Sequence, residues 1–221
     1  MLLAIDSSTQ NVGISLFDGS QVVGELVWQS KNHHTIELAP TINELFRKCN
    51  ISFDQLKGLA VASGPGSFTS LRIGFAIIKG LAITLHIPAV AIPSLDVLVA
   101  SQPFREIPMV ALLQAGRGRY AYSKYVYQTK GWISSGEVEI KKINELASMI
   151  DTKTFFCGEL LPDDRQYLLK NNKNIILASP VQSIRRPSYL AYLGWRKIKA
   201  GKIGDIRFLS PTYVHISNPI E

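Results

Sequence analysis

LAVASGPGSFTSLRIGFAIIKGL, residues 59–81, joins a short apolar strand (Leu59–Ala62) to a glycine-proline turn (Gly64, Pro65, Gly66). A hydroxyl cluster (Ser67, Thr69, Ser70) then opens a long, almost wholly apolar helix. The N–H groups at a helix start have no partner within the helix and carry partial positive charge, so such a turn can cradle an anion. It is not a P-loop, because no Lys-Ser/Thr pair follows the second glycine. The helix carries only Arg72 and Lys79 as charges, few for a helix with one wet side. The segment therefore offers two readings: a phosphate site at its start, or a protein-binding surface along its length.

Upstream, Leu2–Ile5 reads as a buried strand ending at Asp6-Ser7-Ser8-Thr9. Val12–Phe17 and Gln21–Trp28 form a hairpin about Asp18-Gly19. A helix is expected over Thr35–Lys48, with Leu38, Ile42, Leu45 and Phe46 at helical spacing, and Pro40 either kinks it or marks its start. Ser52 and Gln55 have the spacing of a capping box. Downstream, a strand at Ala89–Ile92 leads to a helix over Ser94–Ser101. The pattern then restarts after Pro103: a strand at Met109–Leu113, a turn at Gly116–Arg119, and strands at Tyr120–Gln128 and Trp132–Ile140. Helices near 143–150, 163–171 and 187–200 and a short strand at 154–157 complete the chain. The repeated strand-turn-strand opening predicts an internal duplication, two α/β lobes spanning 1–103 and 104–221.

With 221 residues, 46% apolar and 19% charged, the chain can bury a sizeable core, and its composition excludes wholesale disorder. MLLAIDSS has no basic n-region or cleavage site, so no secretory signal is expected. The apolar run Ile73–Ala100 is broken by Lys79, His86, Pro88, Pro93 and Asp96, which argues against a membrane span. Cys49 and Cys157 lie in no metal spacing and read as reduced thiols. The net charge of +7 gathers late in the chain, at Arg185, Arg186, Arg196, Lys197, Lys199, Lys202 and Arg207. That is either a solvated basic face or an RNA contact; no aromatic-rich ribonucleoprotein motif accompanies it.

Asp6, Ser7, Ser8 and Thr9 fit the first phosphate loop of actin-like and sugar-kinase-like ATPases, where an Asp holds the metal-water shell. The same residues also make an ordinary Asx turn. The matching turn in the second half, Gln114-Ala115-Gly116, has no carboxylate, so ATP hydrolysis by this chain alone is not expected. His33, His34 and Glu37 share a helical neighbourhood but lack a further ligand nearby, which favours capping or packing over metal. No Ser-His-Asp or Cys-His arrangement has supporting spacing.

LLAIDSST, HTIELAPTI, SGPGSFTSLRIGFAIIKGLA and SPTYVHIS, in this order along nearly the whole chain, resemble the bacterial TsaB (YeaZ) family. The resemblance implies a duplicated actin-like ATPase (ribonuclease H-like) α/β fold, two lobes with mixed central sheets flanked by helices. It also implies a non-catalytic cytoplasmic subunit for making threonylcarbamoyladenosine at position 37 of tRNAs that read codons beginning with A. The implied partners are the catalytic paralogue TsaD as a heterodimer, the ATPase TsaE in a larger complex, and a second copy of this chain in isolation. Contact with tRNA would be indirect, through the complex, and no membrane is involved. TsaD carries two metal-binding histidines where an ungapped alignment places Ser94 and Leu98 here. Ser70 replaces a usual glycine, Gln114 a frequent aspartate, and Arg119 stands at a commonly acidic position.

No catalytic residue and no metal site is expected. Asp6, Ser7, Ser8, Gly64, Gly66, Ser67 and Thr69 form a vestigial phosphate site, with any ATP or ADP at the partner interface. His34, Leu38, Ile42, Phe46, Phe68, Leu71, Phe75 and Ile78 form the expected partner interface. Two alternatives stay open: an ATP-dependent carbamoyl or phosphoryl transferase using Asp6 and the 64–69 turn, and a tRNA-binding module using the basic C-terminal half.

Overall fold

The computed structural model describes residues 1–31, 33–129 and 131–214. Of the SPTYVHIS segment, His215, Ile216 and Ser217 lie outside the described residues. The chain divides into two compact units, Met1–Val97 with Arg185–Thr212, and Leu98–Ile184 with Tyr213–Glu221.

The first unit runs β1 (Leu2–Asp6), β2 (Asn11–Phe17), β3 (Val22–Gln29), α1 (His34–Cys49), β4 (Gly58–Ala62), α2 (Phe68–Leu85) and β5 (Ala89–Ile92). Helix α3 (Ser94–Ala100) crosses the division between the units. The sheet order is β3-β2-β1-β4-β5, antiparallel from β3 to β1 and parallel from β1 to β5. Central strands covered on both faces read as continuous apolar runs, which is why LLAI and GLAVA carry little alternation. Alternate residues of β1 and β4 nevertheless serve different cores. Leu3, Ile5, Leu59 and Val61 meet Leu38, Ile42, Phe46, Phe75 and Ile78 of α1 and α2. Leu2, Ala4, Ala60 and Ala62 meet Leu190 and Ala191 of a helix near the end of the chain.

The second unit contains β6 (Met109–Gln114), β7 (Arg119–Gln128), β8 (Gly131–Ser134), β9 (Glu139–Lys142), α4 (Ile143–Ser148), β10 (Thr154–Gly158), α5 (Pro162–Asn171) and β11 (Ile175–Leu177). Its sheet order is β11-β10-β6-β7-β8, with β9 also paired to β7. Strands β6, β7 and β8 are antiparallel, while β6, β10 and β11 are parallel. This repeats the order and directions of the first sheet, so the duplication is present as topology. Helices α4 and α5 supply Leu146, Ala147 and Leu168 to a core with Val110, Leu112, Tyr120 and Tyr122.

The final helix, α6 (Pro187–Lys199), belongs to the first unit. The division at 103 is therefore corrected: 185–212, expected in the second lobe, closes the open face of the first sheet with the apolar stripe of α6. Other boundaries differ for local reasons. The run expected as one strand over 132–140 is two strands interrupted around Ser135-Gly136. Pro40 lies inside α1, not at its start; Ile36, whose carbonyl it cannot serve, is on the exposed side where water can.

Candidate functional site

The loop after β1 and the turn after β4 meet, as a phosphate site would require, but they close on each other. Asp6 is 2% exposed and its Oδ1 accepts the Ser8 backbone N–H at 2.9 Å and the Ser8 hydroxyl at 2.6 Å. Its Oδ2 accepts Arg185 Nε at 2.8 Å in an ion pair whose side chains are 1% and 2% exposed. Arg185 Nη2 also donates to Thr9 Oγ1 at 2.9 Å and to the Asn11 carbonyl at 3.1 Å. The guanidinium thus neutralises the carboxylate and ties the loop to the start of β2.

The hydroxyls are similarly engaged. Ser7 Oγ donates to the Ser70 carbonyl at 2.8 Å, and Ser8 Oγ lies 2.7 Å from Ser94 Oγ. Ser94 Oγ also accepts the Gly64 N–H at 3.0 Å, and the Ser67 N–H reaches the Ser8 carbonyl at 2.6 Å. The 64–66 turn is further strapped by Thr212, whose N–H donates to the Ser63 carbonyl at 2.7 Å. Contact between the two loops is at the limit of backbone approach. A Cβ on Gly66 would stand 2.2 Å from the Ser8 carbonyl oxygen, and one on Gly74 would stand 2.4 Å from Ser7 Oγ. Gly64 and Gly66, expected to admit a phosphate, instead admit the backbone of Thr212 and Ser8. Thr69 is exposed, and Ser67 caps α2, its Oγ taking the Ser70 N–H at 3.5 Å. Ser70 sits comfortably in the helix where a glycine was the usual residue. As arranged, this donor set fits an internal cation, not a metal-bound phosphate.

The second unit repeats the topology without the chemistry. Its turn Gln114–Arg119 carries Arg117 and Arg119 and no carboxylate. Helix α5, at the position of α2, opens with Asp163 and Asp164, which repel an anion at a helix start. Asp164 accepts the Tyr120 hydroxyl at 2.5 Å, and burial together with that carboxylate pushes the phenol upward.

Of His33, His34 and Glu37, the first and last are brought together, His33 Nδ1 lying 4.0 Å from Glu37 Oε1. His34 is buried and its Nε2 bonds the Thr9 carbonyl at 3.0 Å. Glu37 accepts Trp28 Nε1 at 3.0 Å, the main cause of a carboxyl pKa below the ordinary range. Among the described residues no group of three or more His, Cys, Asp or Glu converges as a metal site. Ser94 and Leu98, on α3, are both fully buried.

The expected interface requires correction. Leu38, Leu71 and Ile78 are fully buried, and His34, Ile42, Phe46 and Phe75 nearly so. They are the packing between α1, α2 and the first sheet and cannot greet a partner. Only Phe68, 50% exposed, lies at the surface. The exposed apolar residues of the same two helices are others, Ile36 and Ala39 on α1 and Phe68, Ala76 and Ile83 on α2, with half-buried Ile73 and Ile77. They stand among exposed Asn43, Glu44, Arg47, Lys48 and Arg72. Among the described residues α2 is the one helix long and apolar enough to cross a membrane by length and composition. Its inner arc of Leu71, Phe75 and Ile78 packs on the sheet.

Arg185 and Arg186 also change role. Read from sequence as part of a basic face, either solvated or in contact with RNA, they are ion-paired, Arg185 to Asp6 and Arg186 to Glu25. Glu25 is raised by burial, but the bonds from Arg186 and the Ser188 N–H outweigh this and hold its pKa below the ordinary value. Nothing local in Ile184-Arg185-Arg186-Pro187 marks Arg185 as the partner of a residue 179 positions away.

A duplicated α/β unit of this order, whose first-lobe loop carries an Asp6 paired with an internal arginine, defines an actin-like fold. The chain belongs to the family described as TsaD, tRNA N6-adenosine threonylcarbamoyltransferase, whose sequence model matches residues 22–153, and groups with its TsaB (YeaZ) members. It is 29% identical to the tRNA threonylcarbamoyladenosine biosynthesis protein TsaB of Bacillus subtilis, covering 98% of this chain and 94% of that protein. It is 31% identical to the tRNA N6-adenosine threonylcarbamoyltransferase of Legionella pneumophila, but over 52% of this chain and 41% of that enzyme. Among solved structures, YeaZ from Pseudomonas aeruginosa superposes with a TM-score of 0.78 at 20% identity, covering 96% of this chain and 99% of that one.

Proposed function

We propose that this chain is a non-catalytic cytoplasmic subunit of the machinery that places a threonylcarbamoyl group on adenosine 37 of tRNAs reading codons beginning with A, and that it binds and supports the catalytic subunit TsaD. The observation that carries this reading is the sealed loop. Asp6 is paired with Arg185, and the position aligned with a metal histidine is Ser94, whose hydroxyl bridges Ser8 and Gly64. A chain so arranged has kept the fold and converted its reactive loops into packing. Any ATP or ADP is held with the partner, and TsaE joins the pair in a larger assembly.

The outward face of α1 and α2 is the docking surface on this reading. Full burial of Ile36, Ile73 and Ile83 against a partner supplies about 1.5–3 kcal/mol each before association costs. A second copy of this chain covers the same face when TsaD is absent. Reconstitution tests the proposal: purified TsaD, TsaE, threonylcarbamoyl donor and tRNA, with and without this chain, read by nucleoside mass spectrometry. The expected result is modified adenosine only when both TsaD and this chain are present. Modification by this chain without TsaD would overturn the non-catalytic reading, and full activity of TsaD without it would overturn the partner role.

A further inference from the structure

Helix α6 covers the first sheet with one side and presents the other to solvent, and that outer side has a composition the fold does not require. Tyr189, Tyr192, Arg196 and Lys199 follow one another at spacings of three and four residues, placing them on one face. Tyr189 is 37% and Tyr192 47% exposed. Arg196 lies over the Tyr192 ring, 5.6 Å from its centroid, and Lys199 over the Trp195 ring at 5.1 Å. Tyr192 and Trp195 are each anchored edge-on against Phe17, at 6.4 and 6.1 Å. Phe17 therefore fixes the Tyr192 and Trp195 rings, and Tyr189 stands exposed one turn before them.

The helix itself carries charge of one sign: from Pro187 to Gly204 there is no Asp or Glu, Arg196 and Lys199 are exposed, and Lys197 is tied to the Ala91 carbonyl at 3.0 Å. Asp18, beside the Gly19 that packs on Trp195, is an acid near this end of the helix, and the Ser20 and Gln21 N–H groups hold it. The acid packed against the start of the helix, Glu25, is taken up by Arg186 and the Ser188 N–H. Cations in a last helical turn also complement the helix dipole, which accounts for Arg196, Lys197 and Lys199 as charges. The dipole does not account for exposed tyrosines beside them. Aromatic platforms interleaved with cations are the combination that binds unpaired nucleotides, the rings stacking bases and the cations meeting phosphates.

We infer that the outer face of α6 is a direct RNA contact, in which Arg196 and Lys199 meet phosphates and Tyr189 and Tyr192 stack bases of an unpaired segment. Tyr189 to Lys199 spans about 15 Å of helix, the length of about four stacked nucleotides. The choice of RNA rests on the proposed function, which brings a tRNA to the complex; the charge and the rings stand without it.

The test is fluorescence anisotropy of labelled tRNA with the full chain, alone and mixed with TsaD, across a potassium chloride series. Arg196→Glu with Lys199→Glu reverses the face. Lys170→Glu with Lys173→Glu, on exposed positions of the second unit, makes the same change in net charge elsewhere. The α6 pair is expected to weaken binding at least about tenfold and to flatten the salt slope by about 1.4, as for two lost single-strand phosphate contacts. The control pair should stay within about twofold of wild type. Tyr189→Ala should weaken binding with the slope unchanged, the mark of a stacking contact. Equal effects of the two pairs, or none, would overturn the inference, as would displacement of the RNA by polyglutamate at matched charge, which indicates an acidic protein partner. Light scattering of the same mixtures reports TsaD binding separately. Loss of that complex in wild type counts against the proposed function, and the RNA titrations still decide the α6 face.

Discussion

Arg185→Met removes the cation at the centre of the sealed loop while keeping most of the side-chain volume. The variant leaves the Asp6 carboxylate buried without its counter-charge and strips donors from Thr9 Oγ1 and the Asn11 carbonyl. Breaking a buried pair from one side costs about 3–5 kcal/mol, because the remaining charge has lost both water and partner. For a chain of this size that corresponds to a fall in Tm of about 6–20 °C. Arg186→Met is the matched control: its pair with Glu25 joins an arginine side chain 54% exposed to a carboxylate 11% exposed that keeps the Ser188 N–H, so its loss should cost less than that of the fully buried pair. In a Trp132→Phe background, which silences the second unit, urea unfolding followed by tryptophan fluorescence reads the first unit through Trp28 and Trp195. If Arg185→Met loses less than about 1 kcal/mol, or no more than Arg186→Met, the guanidinium is not what holds the loop and the account of the site is wrong.

Other outcomes follow from particular contacts. Ile83→Asp should leave a folded chain that no longer co-elutes with TsaD, whereas Leu71→Ala, in the core, should cost about 2–5 kcal/mol of stability; co-elution of the Ile83 variant would misplace the docking face. Gly194→Ala should destabilise, since its Cβ would stand 2.5 Å from that of Ala60, while Gly80→Ala meets nothing within 4 Å and should gain up to about 1 kcal/mol by chemical denaturation; a gain at both would refute the close packing of α6. The N–H groups of Gln21 and Ser20, with the Ser20 hydroxyl, hold the Asp18 carboxyl down to about 2. Its contribution is complete above the unfolded value near 4 and is lost as pH falls toward 2. The urea midpoint advantage of wild type over Asp18→Asn should be flat above about pH 5 and shrink between about 4 and 2; a constant difference would show that the charge is immaterial to the turn.

Most of the fold was legible because its elements announce themselves locally. The strands β1, β2, β4 and β5 and the long helices carry the periodicities of their final faces, and the Asp18-Gly19 and Gly64-Pro65-Gly66 turns punctuate them. Strand β11 escaped notice, since three residues on a sheet edge carry no period to read. The functional site was harder. Periodicity marked Leu38, Leu71, Phe75 and Ile78 as one apolar set, yet a stripe looks the same whether it meets a sheet of its own chain or a partner. Only burial separates the two: it places that set in the core and leaves Ile36, Ala76 and Ile83 at the surface, where docking is proposed. Asp6 was located correctly, but its meaning depended on Arg185, brought to it by the return of the chain.

That return has a consequence for synthesis. The first unit is discontinuous: α6, which covers Leu2, Ala4, Ala60 and Ala62, is made only after the intervening 98–184 segment. At translation rates of about 5–20 residues per second, one face of the first sheet waits roughly 5–25 s for its cover. Meanwhile 98–184 emerges as an uninterrupted block with its own sheet and helices. The half of the molecule that leaves the ribosome first thus waits for its last helix until nearly the whole chain is made, and for that interval its bare apolar face must be shielded from the neighbours it would otherwise bind.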